Sequence, residues 1–235
     1  MKFNREFANQ IIDDLINCVD TASKEIMQIY NSDNFETSDK ADGSPLTLAD
    51  KASNQIITEG LKKITPDIAV ISEETFEDTI LKALPNLYWL VDPLDGTREF
   101  INKNDEFTVN IALIEDRKPV FGIVAAPVFE KCWHGSIFDN YHSDKSIPDV
   151  LRIVMSKSHK SDNDKSFLNY LNEKGVNYKI IEKGSSLKLC AIADNEADIY
   201  PRFGPTSEWD IAAAHSVLSA VSYTHPEPTR RYFIS

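Results

Sequence analysis

Cysteine, glycine and long apolar segments are all scarce in this sequence of 235 residues, and each scarcity excludes a class of protein. The three cysteines, Cys18, Cys132 and Cys190, are far apart and lack Cys-x-x-Cys spacing, which argues against a disulfide framework or a zinc site. With 8 glycines, 11 prolines and 42% apolar residues, the chain is neither collagen-like nor of low complexity. Charges recur every few residues at the N-terminus, so we predict neither a signal peptide nor a transmembrane span. We therefore predict a cytoplasmic protein and leave peripheral association with the inner membrane open.

Basic residues are also few in comparison with acidic ones. Lysine and arginine number 25 against 37 aspartates and glutamates, which gives a net charge of −12. This charge repels nucleic acids, so we expect no nucleic-acid polymer as a partner. A phosphate ligand would need metal ions or a few well-placed cations.

The spacing of apolar residues predicts helices alternating with strands. Apolar residues recur at helical spacing over 5–30, and Thr47 is a suitable N-cap for a second helix. Further helices are predicted near 162–174, from Ser185, and over 207–221. Short apolar runs predict strands over 68–72, 87–91, 107–115, 119–129, 131–138, 151–155, 178–182 and 197–203.

This alternation predicts an α/β fold of layered helices and sheets in two halves. We place an N-terminal half at 1–138 and a C-terminal half that completes the active site at 139–221. Residues 222–235 contain two prolines and no periodic pattern, so they are predicted to be an unstructured or foreign tail.

Two aspartates follow a buried strand in the segment LYWLVDPLDGT. The Asp92-Pro93 pair is expected to end the strand, because proline cannot donate to the ladder, and Asp95 then precedes a helix. Carboxylates between a strand and a helix N-terminus are well placed to hold a metal-bound phosphate, and their hard oxygens suit Mg²⁺. Taken alone, the motif is more often explained by a turn in which an aspartate caps a helix.

Three further acidic segments also place a carboxylate at the end of a predicted strand or the start of a predicted helix. Glu73-Glu74 follows another short strand, Asp50 lies in the first turn of the second helix, and Asp210 begins an alanine-rich helix. Each alone fits a solvated loop or a charge on a helix dipole. Yet each acid lies at the end of an element, which suggests that all of them face one site. Carboxylates about 4 Å apart repel by about 4 kcal/mol at an effective dielectric of about 20, so convergence would require divalent cations.

Together these segments resemble the inositol monophosphatase superfamily of Mg²⁺-dependent, lithium-sensitive phosphatases, from the first helix to about Leu218. Segments 44–50, 89–101, 184–190 and 200–206 most resemble its bacterial 3′(2′),5′-bisphosphate nucleotidase branch. The resemblance implies α-β-α-β-α layers, although the residues after Ala220 do not resemble the family's last strand region, which we predict to be missing here. It further implies two or three Mg²⁺ ions and a small phosphorylated substrate, with a homodimer left open. The implied reaction is hydrolysis of the 3′-phosphate of adenosine 3′,5′-bisphosphate to AMP by metal-activated water.

The resemblance also assigns roles to individual residues. Metal ligands would be Glu73, Asp92, the carbonyl of Leu94, Asp95 and Asp210. Thr97, paired with Asp50, would orient and deprotonate the attacking water, and Glu73 completes the catalytic set. Substrate contacts would come from Glu73, Leu94, Asp95, Gly96, Thr97, Ser185, Lys188, Arg202 and Asp210.

Lys188 and Arg202 are the residues on which the assignment to the bisphosphate nucleotidase branch depends. They could hold the phosphate that is not cleaved, assisted by Ser185 at the start of a helix. The alternative is that both cations are solvated surface residues.

Other functions stay open. The sequence Leu94-Asp-Gly-Thr97 also resembles the haloacid-dehalogenase phosphatases, but their nucleophile position is occupied by Pro93, which cannot attack. An inositol or sugar monophosphatase of the same superfamily and an inactive phosphate-binding homologue are the remaining alternatives.

Overall fold

A computed structural model describes residues 2–32, 35–40, 43–77, 83–139, 148–157 and 161–221. Within these ranges the helices are α1 Arg5–Ser32, α2 Leu48–Ile64, α3 Thr97–Ile101, α4 Asp162–Glu173, α5 Leu187–Ala193 and α6 Glu208–Ala220. The strands are β1 Ser38–Asp39, β2 Pro45–Leu46, β3 Ala69–Ser72, β4 Leu87–Asp95, β5 Thr108–Glu115, β6 Lys118–Ala126, β7 Lys131–Ser136, β8 Leu151–Met155 and β9 Tyr178–Glu182.

The strands form one large sheet and two small ones. The large sheet has the order β3-β4-β5-β6-β7, with β3 parallel to β4 and the other neighbours antiparallel. Strands β8 and β9 form a separate parallel pair, and β1 and β2 form a short antiparallel hairpin. Because β3 and β4 are parallel, the residues that follow both strands lie at the same edge of the sheet.

The two faces of the large sheet are covered by different helices. Along β4, alternate side chains point to opposite faces, so Trp89 packs with α1 and α2 while Tyr88 and Leu90 pack with α5 and α6. Beyond α5 and α6 lies the β8–β9 sheet, since Val154 joins their cluster while Ile153 packs with Leu171 of α4 and its neighbours. The resulting helix-sheet-helix-sheet-helix order confirms the predicted fold class.

Most predicted elements are confirmed, with three corrections. The predicted strand 197–203 is wrong: only Ile199 forms a bridge, to Ile153, because Pro201 cannot extend the ladder. The helix predicted from Ser185 begins at Leu187, since Ser185 has a left-handed φ of 41°. Strand β4 does not end at Asp92 but continues to Asp95 through a register shift that accommodates Pro93.

The division into halves at 138/139 stays a prediction, and the predicted tail 222–235 lies outside the described residues. Of the helices in the described ranges, none combines the length and apolarity needed to cross a lipid bilayer.

Helix α6 lies unusually close to the large sheet. A Cβ added at Gly122 of β6 would lie 2.1 Å from the carbonyl oxygen of Ala213, and one at Gly135 of β7 would lie 2.6 Å from the Cβ of Ala220. The facing side of α6 consists largely of alanine, so backbone packs against backbone. This close approach fixes the first turn of α6, which carries Asp210.

Substitution of Gly122 by alanine tests this packing. The added methyl group would meet backbone that cannot rotate away, so we expect Gly122→Ala to lower the free energy of unfolding by about 1–3 kcal/mol in denaturant titrations. Gly204→Ala is the control, because no atom of the described residues lies within 4 Å of a Cβ there, and its effect should stay below about 0.5 kcal/mol. Equal effects for the two variants would contradict the packing argument.

Candidate active site

Acidic residues from three parts of the chain meet at one edge of the large sheet. Asp92 and Asp95 lie on β4, and Asp210 lies in the first turn of α6. One carboxylate oxygen from each of these aspartates lies within 4.8 Å of the other two. Glu73, in a short 3₁₀ turn after β3, is close enough to Asp92 for a hydrogen bond between the two carboxyl groups. The structure therefore brings together the four acids that the family resemblance implied as metal ligands.

Burial and mutual repulsion change the acidity of this cluster. Burial raises the pKa of Asp92 well above its usual value, and the charges of Glu73, Asp95 and Asp210 raise it further. The pKa of Asp95 is raised to about 7, first by burial and then by the charge of Asp210. A divalent cation stabilises hard oxygen donors that carry more negative charge than their surroundings tolerate. These residues therefore fit a metal site.

Asp95 is held by one of its two carboxylate oxygens. Its Oδ2 atom accepts a hydrogen bond from the Ser186 N–H at 2.7 Å, and the Ser186 hydroxyl, whose single proton is directed at the nearer Asp210 carbonyl, lies 3.1 Å away. Longer bonds from Asn110 Nδ2 at 3.3 Å and Thr108 Oγ1 at 3.4 Å reach the same oxygen. The orientation of the carboxylate is thereby fixed, while its Oδ1 atom has no such bond among the described residues and is available to a ligand.

Asp210 is fixed in a similar way at the start of α6. Its Oδ2 atom accepts hydrogen bonds from the Thr206 hydroxyl at 2.6 Å and the Ser207 N–H at 3.1 Å, which together form an N-terminal capping arrangement. The Ser186 hydroxyl also donates to the backbone carbonyl of Asp210 at 2.7 Å. Capping, the ordinary explanation for this aspartate, is therefore correct, and it also aims the carboxylate at the cluster.

Lys40 is a cation in this region that the sequence did not single out. Its Nζ atom lies 2.8 Å from Glu73 Oε1 and 2.7 Å from Glu74 Oε1. Burial lowers its pKa, but the charge of Glu73 and the bonds to both glutamates outweigh burial, so the pKa is raised. Burial also raises the pKa of Glu74 to about 7 against the effect of Lys40. Only the β1–β2 hairpin brings Lys40 to these acids, and no spacing in the sequence signals it.

Asp50 and Thr97, predicted to act as a pair, are in direct contact. The Thr97 hydroxyl lies 3.0 Å from Asp50 Oδ1 and 3.3 Å from the carbonyl oxygen of Leu94. The other carboxylate oxygen of Asp50 accepts both the N–H and the hydroxyl of Thr47, at 2.7 and 2.6 Å. Asp50 is fully buried, and burial raises its pKa although these hydrogen bonds oppose the shift. The pair can therefore accept a proton in a dry environment.

Leu94 and Gly96 lie between the acid cluster and Thr97. The Leu94 carbonyl faces the Thr97 hydroxyl because β4 bulges after Asp92. Gly96 has a left-handed φ of 94°, and a Cβ there would lie 3.1 Å from the carbonyl oxygen of Glu106. Both the φ angle and the close contact favour glycine at this turn.

A cavity of about 690 Å³ extends from the acid cluster. Lys188 contributes to its wall and is only 7% exposed, so it is not the solvated surface residue of the alternative interpretation. Burial lowers the pKa of Lys188, while the charge of Asp95 opposes this shift. Other predicted or neighbouring residues that line the cavity are Gly96, Ser185, Tyr200, Arg202 and Asp210.

Arg202 and Ser185 differ in their environment within that cavity. Arg202 is exposed, and its guanidinium donates to the Pro205 carbonyl at 2.6 Å and to the Tyr200 hydroxyl at 3.4 Å. The Oγ atom of Ser185 is buried and has no hydrogen-bond partner among the residues that the structure describes. A buried hydroxyl without a partner is costly, so this atom is suited to a polar ligand in the cavity.

The raised pKa of Asp95 gives a pH dependence that can be measured. The folded chain holds this proton up to about pH 7, whereas the unfolded chain loses it near pH 4, so without divalent cations stability should fall as the pH rises between these values. Asp95→Asn removes this titration, so in EDTA its melting temperature should fall less between pH 5 and pH 7.5 than that of the wild type. The exposed Asp67→Asn control should follow the wild type, and an Asp95→Asn variant that also does so would contradict the assignment.

The chain matches the Inositol monophosphatase family over residues 8–234, which includes nearly all of the predicted tail. It is 42% identical over 214 residues to the 3′(2′),5′-bisphosphate nucleotidase CysQ of Salmonella typhimurium, covering 87% of this chain and 85% of that protein. It is 39% identical over 219 residues to a protein of the same name from Escherichia coli, with 89% and 87% covered.

Solved structures agree with these relatives. CysQ from Bacteroides thetaiotaomicron superimposes with a TM-score of 0.74 at 34% identity, over 88% of this chain and 85% of that one. An IMPase from Thermotoga maritima gives a TM-score of 0.73 at 18% identity over 89% and 82% of the two chains, a similarity that concerns the fold alone. By sequence over most of its length, and by fold, this chain belongs to the inositol monophosphatase family.

Proposed function

We propose that this chain is a phosphoric monoester hydrolase, a 3′(2′),5′-bisphosphate nucleotidase that converts adenosine 3′,5′-bisphosphate to AMP and phosphate. Relatives with this name are 39–42% identical to it over most of its length. The observation that carries the proposal is the position of Lys188, a buried cation in the same cavity as the acid cluster. A substrate with two phosphates needs a cation away from the reacting phosphate, whereas a neutral polyol does not.

The acid cluster is proposed to hold Mg²⁺, with two or three ions per site. Glu73, Asp92, Asp95, Asp210 and the carbonyl of Leu94 would be the ligands. Bound metal would neutralise the phosphate charge and polarise the attacking water and the leaving oxygen. The carboxylates need this partner because burial and repulsion disfavour their charged forms in its absence.

Thr97 and Asp50 are proposed to orient the water and take its proton. Threonine alone is a poor base, but a hydroxyl 3.0 Å from a buried carboxylate can pass a proton to it. The two hydrogen bonds from Thr47 keep Asp50 in place while its other oxygen faces Thr97. Residues 94–97 would contact the phosphate that is cleaved, next to this pair.

The phosphate that is not cleaved is proposed to lie against Ser185, Lys188 and Arg202. Lys188 supplies a poorly hydrated positive charge, and Ser185 supplies a hydroxyl that has no partner within the described part of the chain. Arg202 is exposed at the cavity and can turn its guanidinium toward an anion at little cost. The proposed partner is thus a small phosphorylated molecule, and homodimer formation stays a prediction.

Removal of the Thr97 hydroxyl tests the proton-transfer pair. We expect Thr97→Val to lower kcat by a factor of about 100–10,000, the usual contribution of general acid-base catalysis, with little change in KM. Thr97→Ser keeps the hydroxyl and is the matched control, so it should retain most of the activity. Equal rates for the valine and serine variants would remove Thr97 from the mechanism.

Phosphate release from three substrates tests the function itself. With Mg²⁺ we expect adenosine 3′,5′-bisphosphate to be hydrolysed with a higher kcat/KM than inositol 1-phosphate or fructose 1,6-bisphosphate, and added lithium to inhibit. Preference for another substrate would reassign the branch, and absence of any release would indicate an inactive homologue.

Lys188→Ala and Arg202→Ala should raise KM for the bisphosphate about tenfold or more, because a charged hydrogen bond contributes about 1.5–3 kcal/mol.

These variants need a control of matched charge. Lys179→Ala removes an exposed lysine on β9 and should leave KM unchanged for every substrate. An equal loss for the bisphosphate and for inositol 1-phosphate in Lys188→Ala would defeat the proposal that Lys188 recognises the second phosphate.

A further inference from the structure

Glu106 packs against the turn that carries Ser185. Its Oε2 atom accepts a hydrogen bond from the Gly184 N–H at 3.1 Å. A Cβ at Gly184 would lie 2.9 Å from the carbonyl oxygen of Glu106 and 3.1 Å from Cγ of Glu99. Glycine is therefore required at position 184, where Glu99 and Glu106 leave no room for a Cβ. Glu106 also makes a direct hydrogen bond to this residue.

The turn itself has a conformation that needs support. Ser185 has a φ of 41°, in the left-handed region that costs a non-glycine residue about 1 kcal/mol or more. On one side Gly184 is held by Glu106, and on the other the Ser186 N–H is held by Asp95 at 2.7 Å. Between these two anchors, the unpartnered Ser185 hydroxyl lies at the cavity that Lys188 also lines.

Glu106 is in turn fixed by its own loop. The Tyr30 hydroxyl, at the end of α1, donates to Asp105 Oδ1 at 2.7 Å. The Glu106 N–H donates to Asn104 Oδ1 at 3.1 Å, and the Asn104 N–H donates to the Glu99 carbonyl at 3.1 Å. A chain of hydrogen bonds thus runs from α1 through residues 104–106 to the turn before α5.

The negative charge of Glu106 also affects Lys188, the cation that lines the same cavity. Burial lowers the pKa of Lys188, whereas the carboxylates of Glu99 and Glu106 favour its protonated form. Neither glutamate takes part in the acid cluster, so the proposed catalytic reaction does not account for them.

We propose that Glu106 is a positioning residue for bisphosphate specificity: its carboxylate holds the Gly184–Ser186 turn so that Ser185 Oγ and Lys188 face the phosphate that is not cleaved. Glu106 acts through the turn and does not itself contact substrate. The inference rests on the proposed function, since it concerns how the second phosphate of that substrate is held.

The test compares Glu106→Ala with Glu106→Gln, which keeps an oxygen acceptor for the Gly184 N–H. Steady-state rates are measured for adenosine 3′,5′-bisphosphate and for inositol 1-phosphate. Binding of AMP, which retains the second phosphate, is measured by calorimetry with Mg²⁺. We expect Glu106→Ala to raise KM for the bisphosphate and Kd for AMP about tenfold, with kcat within about twofold. KM for inositol 1-phosphate should change less than about threefold, and Glu106→Gln should recover most of the loss.

Two further variants separate positioning from folding. Glu173→Ala removes an exposed glutamate at the end of α4 and should behave as wild type. Gly184→Ala inserts a methyl group 2.9 Å from the Glu106 carbonyl and should raise KM selectively, as Glu106→Ala does, which gives an independent measurement if the latter does not fold.

A uniform loss of kcat for both substrates, or an unchanged KM and Kd in Glu106→Ala and Gly184→Ala, would overturn the inference. Failure of the proposed function looks different, because the wild type itself would then show no preference for the bisphosphate.

Discussion

The carboxylates of Asp92, Asp95 and Asp210 are held within 4.8 Å of one another, with Glu73 beside Asp92, although their charges repel. At about 5 Å and an effective dielectric of about 20, each charged pair costs about 3 kcal/mol, which is large beside a typical stability of about 5–15 kcal/mol. Backbone packing holds the acids in place, because they lie on or directly after two adjacent parallel strands and on a helix packed against glycine. The repulsion is also the reason why these residues fit a divalent cation.

Each acid is oriented by hydrogen bonds that leave part of its carboxylate available. Asp95 is bonded through Oδ2, and Asp210 is bonded through Oδ2 to its own helix cap. Ser186 joins both, since its N–H reaches Asp95 and its hydroxyl reaches the carbonyl of Asp210. The turn before α5 therefore connects the large sheet to α6, and the cavity wall that contains Ser185 and Lys188 adjoins the residue that positions the acid cluster.

Much of this could be predicted from local patterns. The helical stripe of α1, the Thr47 cap and the apolar runs of the central strands determine their elements through nearest neighbours alone, and these predictions are confirmed. The acids at 73, 92, 95 and 210 were recognised because each was predicted at the end of an element, although β4 in fact runs past Asp92 to Asp95. The strand predicted over 197–203 was wrong because strand propensity does not reveal whether a partner lies alongside, and Pro201 interrupts any ladder.

The sequence by itself thus predicted the layers of the fold and, through the resemblance to a known family, the acid cluster and the contact of Thr97 with Asp50. Tertiary structure alone decided that Lys188 is buried, that Lys40 bridges Glu73 and Glu74, and that Glu106 holds the Gly184 turn. The physical reason is the separation of the contacting residues along the chain. Element type follows from residues a few positions apart, whereas these contacts join residues 33, 34 and 78 positions apart in the chain. Only the packed sheet and helices bring such residues together.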